Sequence, residues 1–277
     1  MSPTAIPGNL LLKNGMVITG EQKNNWTPAE IDTALWLDAA DASTITESGG
    51  AVSQWDDKSG NGRNATQATL ALRPTFNSTG INSKAAIDFT GSGLLLTVPR
   101  GFITNSVSAF VVYSGGDVNG RMIDQRSTGA SGTVKGWQIK NRNFLSSDLT
   151  GIDDGSGNAR NISDAIGLDD SARQSAFIFP ANNNPSQYIN GAEYGVLDSF
   201  GSVPTDIDNT SYDIAIGGNA AGGTTQDFNG LIGEVILLSS GASTNIRQKT
   251  EGYLAHKWGL TANLPADHPY KTAIPVP

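Results

Sequence analysis

A single stretch of this chain carries a helical repeat, and it comes near the end. Ile246, Thr250, Tyr253, Leu254 and Trp258 recur at three- and four-residue spacing, which sets them on one face of a helix. Ser243 and Thr244 are N-cap types, Gly259 suits the close of the last turn, and Pro265 soon follows. Just upstream, residues 231–238 form the most apolar strand candidate in the sequence. A helix with one apolar stripe must bury it, and what precedes it has the pattern of β-structure. The expectation is a β-body closed by one packed helix.

The strand signals are short runs at 34–38, 52–56, 85–89, 94–98, 107–113, 121–124, 137–139, 176–179, 187–189, 192–196 and 213–216. Turn chemistry separates them. Asp57-Lys58-Ser59-Gly60-Asn61-Gly62 is dense in residues that bond back to the backbone, and Asn190-Gly191 tolerates the positive φ of a hairpin turn. No helical pattern intervenes, so the pairing is predicted to be antiparallel and not βαβ. The polar stretch 146–170, with its aspartates and glycines, reads as a long loop that is functional or mobile. Residues 1–25 read as an extended N-terminal arm, with apolar Leu10, Leu11 and Leu12, then Met16, Val17 and Ile18, in need of a partner; the alternative is a disordered leader. Residues 26–277 read as one domain.

Charge and composition exclude some classes of function. With 18 basic and 26 acidic residues the formal charge is −8, and the basic residues do not cluster. That is not the footprint of a nucleic-acid binder. There is no cysteine, so neither disulfides nor thiolate–zinc sites arise. No segment approaches the roughly 20 apolar residues of a membrane span, and the first residues lack the basic and apolar regions of an export signal. A chain made in a cytoplasm, with no membrane partner, is the expectation.

Three motifs together carry a resemblance. They are Ala34-Leu35-Trp36-Leu37-Asp38-Ala39, then Val52-Ser53-Gln54-Trp55-Asp56-Asp57-Lys58-Ser59-Gly60-Asn61-Gly62, then the closing strand and helix with Leu264-Pro265-Ala266-Asp267-His268-Pro269-Tyr270 after them. Over about residues 30–271 the chain resembles the laminin-G-like branch of the concanavalin A-like lectin/glucanase superfamily. It looks most like the versions found in tailed-phage virions and bacterial surface proteins. The resemblance implies an all-β fold, a two-sheet antiparallel jelly-roll sandwich with the C-terminal helix packed on it. It says little of function, because that fold hosts lectins, hydrolases and plain interaction modules.

Hydrolases of the superfamily carry Glu-x-Asp-x-x-Glu on one strand. Here Glu30-Ile31-Asp32 is followed by Leu35 in the sixth place, so the acid/base partner is missing. No catalytic residue is assigned. Glu234, inside the most apolar strand, reads as a satisfied structural carboxylate bonded to a backbone donor, an Arg or a Tyr of the helix. His256 and His268 have no catalytic setting in the sequence and read as structural. Calcium is the one candidate ligand ion: Asp56, Asp57 and Asn61, or Asp153 and Asp154, offer hard oxygens in tight turns, although the same side chains can simply bond their own turns. For sugar binding, Trp26 and Trp137 lie outside the core-like motifs and are the candidate platforms.

The function expected from the resemblance is that of a non-enzymatic virion protein, decorating the capsid or forming a short surface fibre. Its arm would contact other virion proteins or copies of itself, at the surface of a particle assembled in a host cytoplasm. The alternative is a carbohydrate-binding module that recognises surface glycans.

Overall fold

A computed structural model describes residues 9–11, 17–19, 25–115, 120–126, 135–140, 150–163, 170–222 and 226–277. Among the described residues the body is antiparallel β-structure with one α-helix, and its strands join into one large pairing network. Gly230–Leu238 lies at the centre of one run of that network. It pairs with Val107–Gly115 along one side, and with Leu35–Asp38 and Lys84–Asp88 along the other. Arg173–Phe179, Ser186–Ile189 and Ala192–Tyr194 extend the sheet beyond Val107–Gly115. A second run leads from Leu96–Val98 through Ile214–Ile216, Arg121–Asp124, Lys135–Lys140, Thr150–Asp154 and Ala159–Ser163 to Val196–Phe200. The runs are bridged by Ala51–Trp55, which pairs with Thr75–Ile81 beside Lys84–Asp88, and by its other partner Ala65–Thr66, which pairs with Leu96–Val98.

Alternation explains the layers. The larger core cluster takes Val111, Phe177, Val235 and Leu237 from the first run, and Ile123, Trp137, Ile139, Ile152 and Ile216 from the second. The intervening residues Phe110, Val112, Ile178, Ile236 and Leu238 join a second cluster with Tyr253, Leu254 and Trp258 of the helix. The central strands are therefore buried on both faces, which is why 107–113 and 231–238 read as nearly continuous apolar runs. A register shift opposite Val112 and Tyr113 leaves Gly233 outside the pairing. That bulge lets Ile232 and Val235, three apart, face the same core.

The helix runs Thr244–Trp258. Ser243 caps it by accepting the Ile246 N–H at 3.3 Å, and Gly259 ends it at φ 70°. Ser243→Ala is expected to cost about 1 kcal/mol, a small fall in the urea midpoint with an unchanged m-value.

One sequence expectation needs correction. Within 146–170, Thr150–Asp154 and Ala159–Ser163 are paired strands joined by a tight turn through Gly155 and Gly157. Their buried polar residues, Asp153, Arg160 and Asn161, hid the strand period. In the arm, Asn9–Leu11 and Val17–Thr19 form a separate antiparallel pair with Leu10 opposite Ile18 and Leu11 opposite Val17. Two β-prone runs flanking Asn14-Gly15 are a hairpin signal. Leu12 and Met16 lie outside the described residues. Among the described residues, no helix is long and apolar enough to cross a membrane.

Candidate functional site

The ladder between Gly230–Leu238 and Leu35–Asp38 sets Glu234 directly opposite Asp38. Both are buried, Glu234 completely, on the side where the helix packs. Two carboxylates side by side under a helix are costly unless they are paired, and the sequence supplies the partners at short spacing. Tyr253, Lys257 and Trp258 lie on the last turns of the helix; Trp36 stands two residues before Asp38 on its strand.

Every oxygen of Glu234 is engaged. Oε1 accepts the Trp36 indole N–H at 2.7 Å and the Tyr253 hydroxyl at 2.9 Å. Oε2 accepts the Trp258 indole N–H at 2.7 Å and faces Lys257 Nζ at 2.7 Å. Lys257 also reaches Asp38 Oδ1 at 2.6 Å and the Tyr253 oxygen at 3.1 Å. On the outer side Lys58 bridges Asp38 Oδ2 and Asp41 Oδ2, each at 2.9 Å, and lies 4.8 Å from the Trp36 ring centroid. Burial pushes the Glu234 carboxyl above its usual range; the Lys257 charge opposes this and the Asp38 charge adds to it. Burial likewise raises the Tyr253 phenol, with Glu234 and Asp38 adding to the shift. For Lys58, burial acts downward, but its bonds to Asp41 and Asp38 prevail and raise it. Hydrogen bonds from Ser43 and Lys58 hold Asp41 down at about 2.

This arrangement fastens the helix to the sheet through charge-assisted bonds and leaves no oxygen of Glu234 open to a substrate. The Tyr partner was legible in the sequence. The two indole donors and the lysine were missed, although Trp36 with Asp38 (two apart on a strand) and Tyr253 with Lys257 (four apart on a helix) share faces.

The other sequence candidates disperse. Glu30 lies in a short 3₁₀ turn, where its Oε1 accepts the Thr27 N–H at 3.3 Å. His256 contacts the Tyr270 carbonyl at 2.9 Å, and His268 lies 3.1 Å from Glu251, which pairs with Arg247. Trp26 and Trp137 are corrections: both are buried and neither offers a ring face to solvent. Trp26 packs edge-on against Tyr253, and Trp137 lies in the main core with its indole N–H on Gln125 Oε1 at 2.7 Å. The large aromatic exposed among the described residues is Phe200, at 49%.

The metal candidates bond their own surroundings. Asp57 accepts the N–H groups of Trp36, Ser59 and Arg63 and the Ser59 hydroxyl. Asp56 accepts from the Gln54 amide, and Asn61 donates to the carbonyls of Thr33 and Ala34. Asp153 caps Gly155, and Asp154 accepts from Ser156 and Asn158. Among the described residues, no three His, Cys, Asp or Glu side chains gather as a metal site. Chelator is expected to leave the Tm unchanged, whereas Asp57→Ala, which orphans several backbone donors, should cost about 2 kcal/mol in a thermal melt.

A second polar feature crosses the second run. Register places Asp124, Gln138, Gly151, Asn161 and Asp198 in one row across its strands, with Asp153, Ala159 and Phe200 in the next. At one end Arg121 bonds Asp124 at 3.0 Å and Gln226 at 2.8 Å, and Lys140 reaches Gln226 at 3.0 Å. Burial pushes the Asp124 carboxyl up, against the pull of Arg121. The Asn161 side chain closes over Gly151 in the row, since a Cβ there would lie 2.2 Å from Asn161 Oδ1. Elsewhere, an open cleft of about 440 Å³ is lined by Asn77, Asp88, Thr90, Ser114, Asp170 and Asn229, without an aromatic side chain.

No family model matches the sequence, and no curated protein matches it. Solved structures give distant likenesses. A Trypanosoma rangeli sialidase in complex with sialic acid is 13% identical at a TM-score of 0.46, over 78% of this chain and 32% of the sialidase. Domain 4 of an extracellular arabinanase from Geobacillus stearothermophilus, in complex with arabinotriose, is 16% identical at 0.48, over 76% of this chain and 94% of that one. The binding domain of Paraclostridial Mosquitocidal Protein 1 is 13% identical at 0.47, over 78% and 50%. The chain thus spans about a third of the sialidase. None of these three reaches a TM-score of 0.5, and no residue role passes from them to this chain.

Proposed function

We propose that this chain is a non-enzymatic structural module of a virus particle. In this reading residues 26–277 are a two-sheet jelly-roll sandwich of the laminin-G-like kind, facing solvent. Residues 1–25 attach it to capsid or tail proteins, or to copies of itself. The observation that carries the non-enzymatic part is Glu234: the buried acid of the central strand Gly230–Leu238 is filled by its own protein's donors. The motifs around Trp36, Trp55 and Trp258 support the virion part through the family they resemble. The separate pairing of Asn9–Leu11 with Val17–Thr19 supports an arm that acts apart from the body's main sheet. Repetition over a particle would multiply a modest arm contact into firm attachment.

Deleting residues 1–25 is expected to leave a folded body that no longer cosediments with particles. A truncated protein that still decorates them would remove the arm's role.

The outer strand of the second run favours a second reading, carbohydrate binding. Asp124, Gln138 and Asn161 are buried, but at the end of their row Asp198 is half-buried and Phe200, two residues on along the same strand, is exposed, so that a carboxylate and a ring are offered together. On a glycan array this reading requires binding that Phe200→Ala lowers at least tenfold. A blank array, or binding indifferent to Phe200, counts against it.

A further inference from the structure

Lys257 lies between two acids in an unusual setting. Its Nζ is 2.6 Å from Asp38 Oδ1 and 2.7 Å from Glu234 Oε2, and the three side chains are 20%, 5% and 0% exposed. Aromatic rings wall the site: the ammonium is 5.4 Å from the Tyr253 centroid and 5.7 Å from that of Trp258. Asp38 Oδ2 is held by Lys58 at 2.9 Å, and the Ala40 N–H points at Oδ1 at 3.2 Å. A nitrogen this close to Oδ1 lies about 3–3.5 Å from Cγ, the separation of a near-attack pair.

We propose that Asp38 and Lys257 become joined by an intramolecular amide bond, with Glu234 as the proton relay. The chemistry needs a neutral amine beside a neutral acid, and one proton passed from the Lys257 nitrogen to Asp38, 2.6 Å away, produces both at once. Glu234 takes a proton from the Lys257 ammonium and delivers it to Oδ1 of Asp38. The nitrogen lone pair then bonds to Cγ while the carbonyl electrons move onto Oδ2, where the Lys58 ammonium stabilises the oxyanion. Glu234 moves a second proton from nitrogen to the Oδ1 hydroxyl. The Cγ–Oδ1 bond breaks, water departs and the carbonyl re-forms at Oδ2. One carboxylate and one ammonium give one secondary amide and one water; Glu234 ends as it began, and no oxidant or outside reagent takes part.

The raised Glu234 carboxyl fits a group that must hold and release protons there. The bond would tie the strand that opens the body to the last turn of its closing helix. In the unfolded chain it would remain as a constraint across most of the sequence, the same principle by which a long-loop disulfide stabilises.

The test is the intact mass of the full chain under denaturing conditions. The expected value is lighter than the sequence mass by one water, about 18 Da, and digestion should release one branched peptide holding Asp38 and Lys257. Lys257→Arg keeps the charge, cannot form the bond and should restore the full mass. Asp38→Asn should lose ammonia instead, about 17 Da, because the leaving group changes. In folded Glu234→Gln, the linked fraction should fall at least tenfold. A folded wild-type protein at its full sequence mass overturns the proposal. So does a lost water mapped to another place, such as a cyclised Asp-Gly step.

Discussion

Glu234→Ala is expected to cost about 3–5 kcal/mol, because it strands partners that have no other place to go. The indole N–H groups of Trp36 and Trp258 and the Tyr253 hydroxyl all donate to this one carboxylate, and Lys257 loses one of its two counter-charges. For a chain of this size that corresponds to a fall in Tm of about 10 °C. Glu234→Gln is not a rescue: the amide nitrogen would present hydrogens to the Trp258 N–H or to Lys257, donors facing donors. Part of the loss is shared with the proposed Asp38–Lys257 bond. Lys257→Arg separates the two, since it sets a permanent cation near Glu234 and cannot form the amide. A Glu234→Ala protein within about 1 kcal/mol of wild type would show the network to be ornamental.

Gly233→Val is expected to do comparable damage from the adjacent position. A Cβ at Gly233 would lie 2.6–3.0 Å from three ring atoms of Trp258. That ring is fully buried and tethered at its nitrogen to Glu234, so it cannot swing away. The helix itself would have to lift off the sheet. Gly233→Ala should cost about 1–3 kcal/mol as ordinary overpacking, and the branched valine more, with little soluble protein recovered. The cause is separable by a double-mutant cycle: in a Trp258→Ala background, Gly233→Ala should cost far less.

What the sequence revealed follows from how each signal is encoded. The helix and the Gly230–Leu238 strand were legible because both are long, apolar and bounded by cap or turn residues. Glu234 was legible as a structural acid because an apolar strand surrounds it and Tyr253 lies in reach. Trp26 and Trp137 misled because a lone aromatic does not declare its face. For Trp137 the alternation with Gln138 and Lys140 does point it inward, once Lys135–Lys140 is known to be a strand. The strands Thr150–Asp154 and Ala159–Ser163 were hidden because they bury polar residues, whose partners come from distant parts of the chain: Arg126 lies 3.7 Å from Asp153, and Arg160 bonds Asn184. Aspartates at 56, 57, 153 and 154 look alike as turn formers and as calcium ligands, and sequence alone does not show which donors reach them.

Glu234 makes helix and sheet one cooperative unit, a coupling that native-state hydrogen exchange reads out. In the wild-type protein the amides of Thr244–Trp258 and of Gly230–Leu238 should open together, at the free energy of global unfolding. Glu234→Ala should lower both by the same amount. A helix that exchanges through its own cheaper opening, unmoved by the substitution while the strand stays protected, would contradict that coupling.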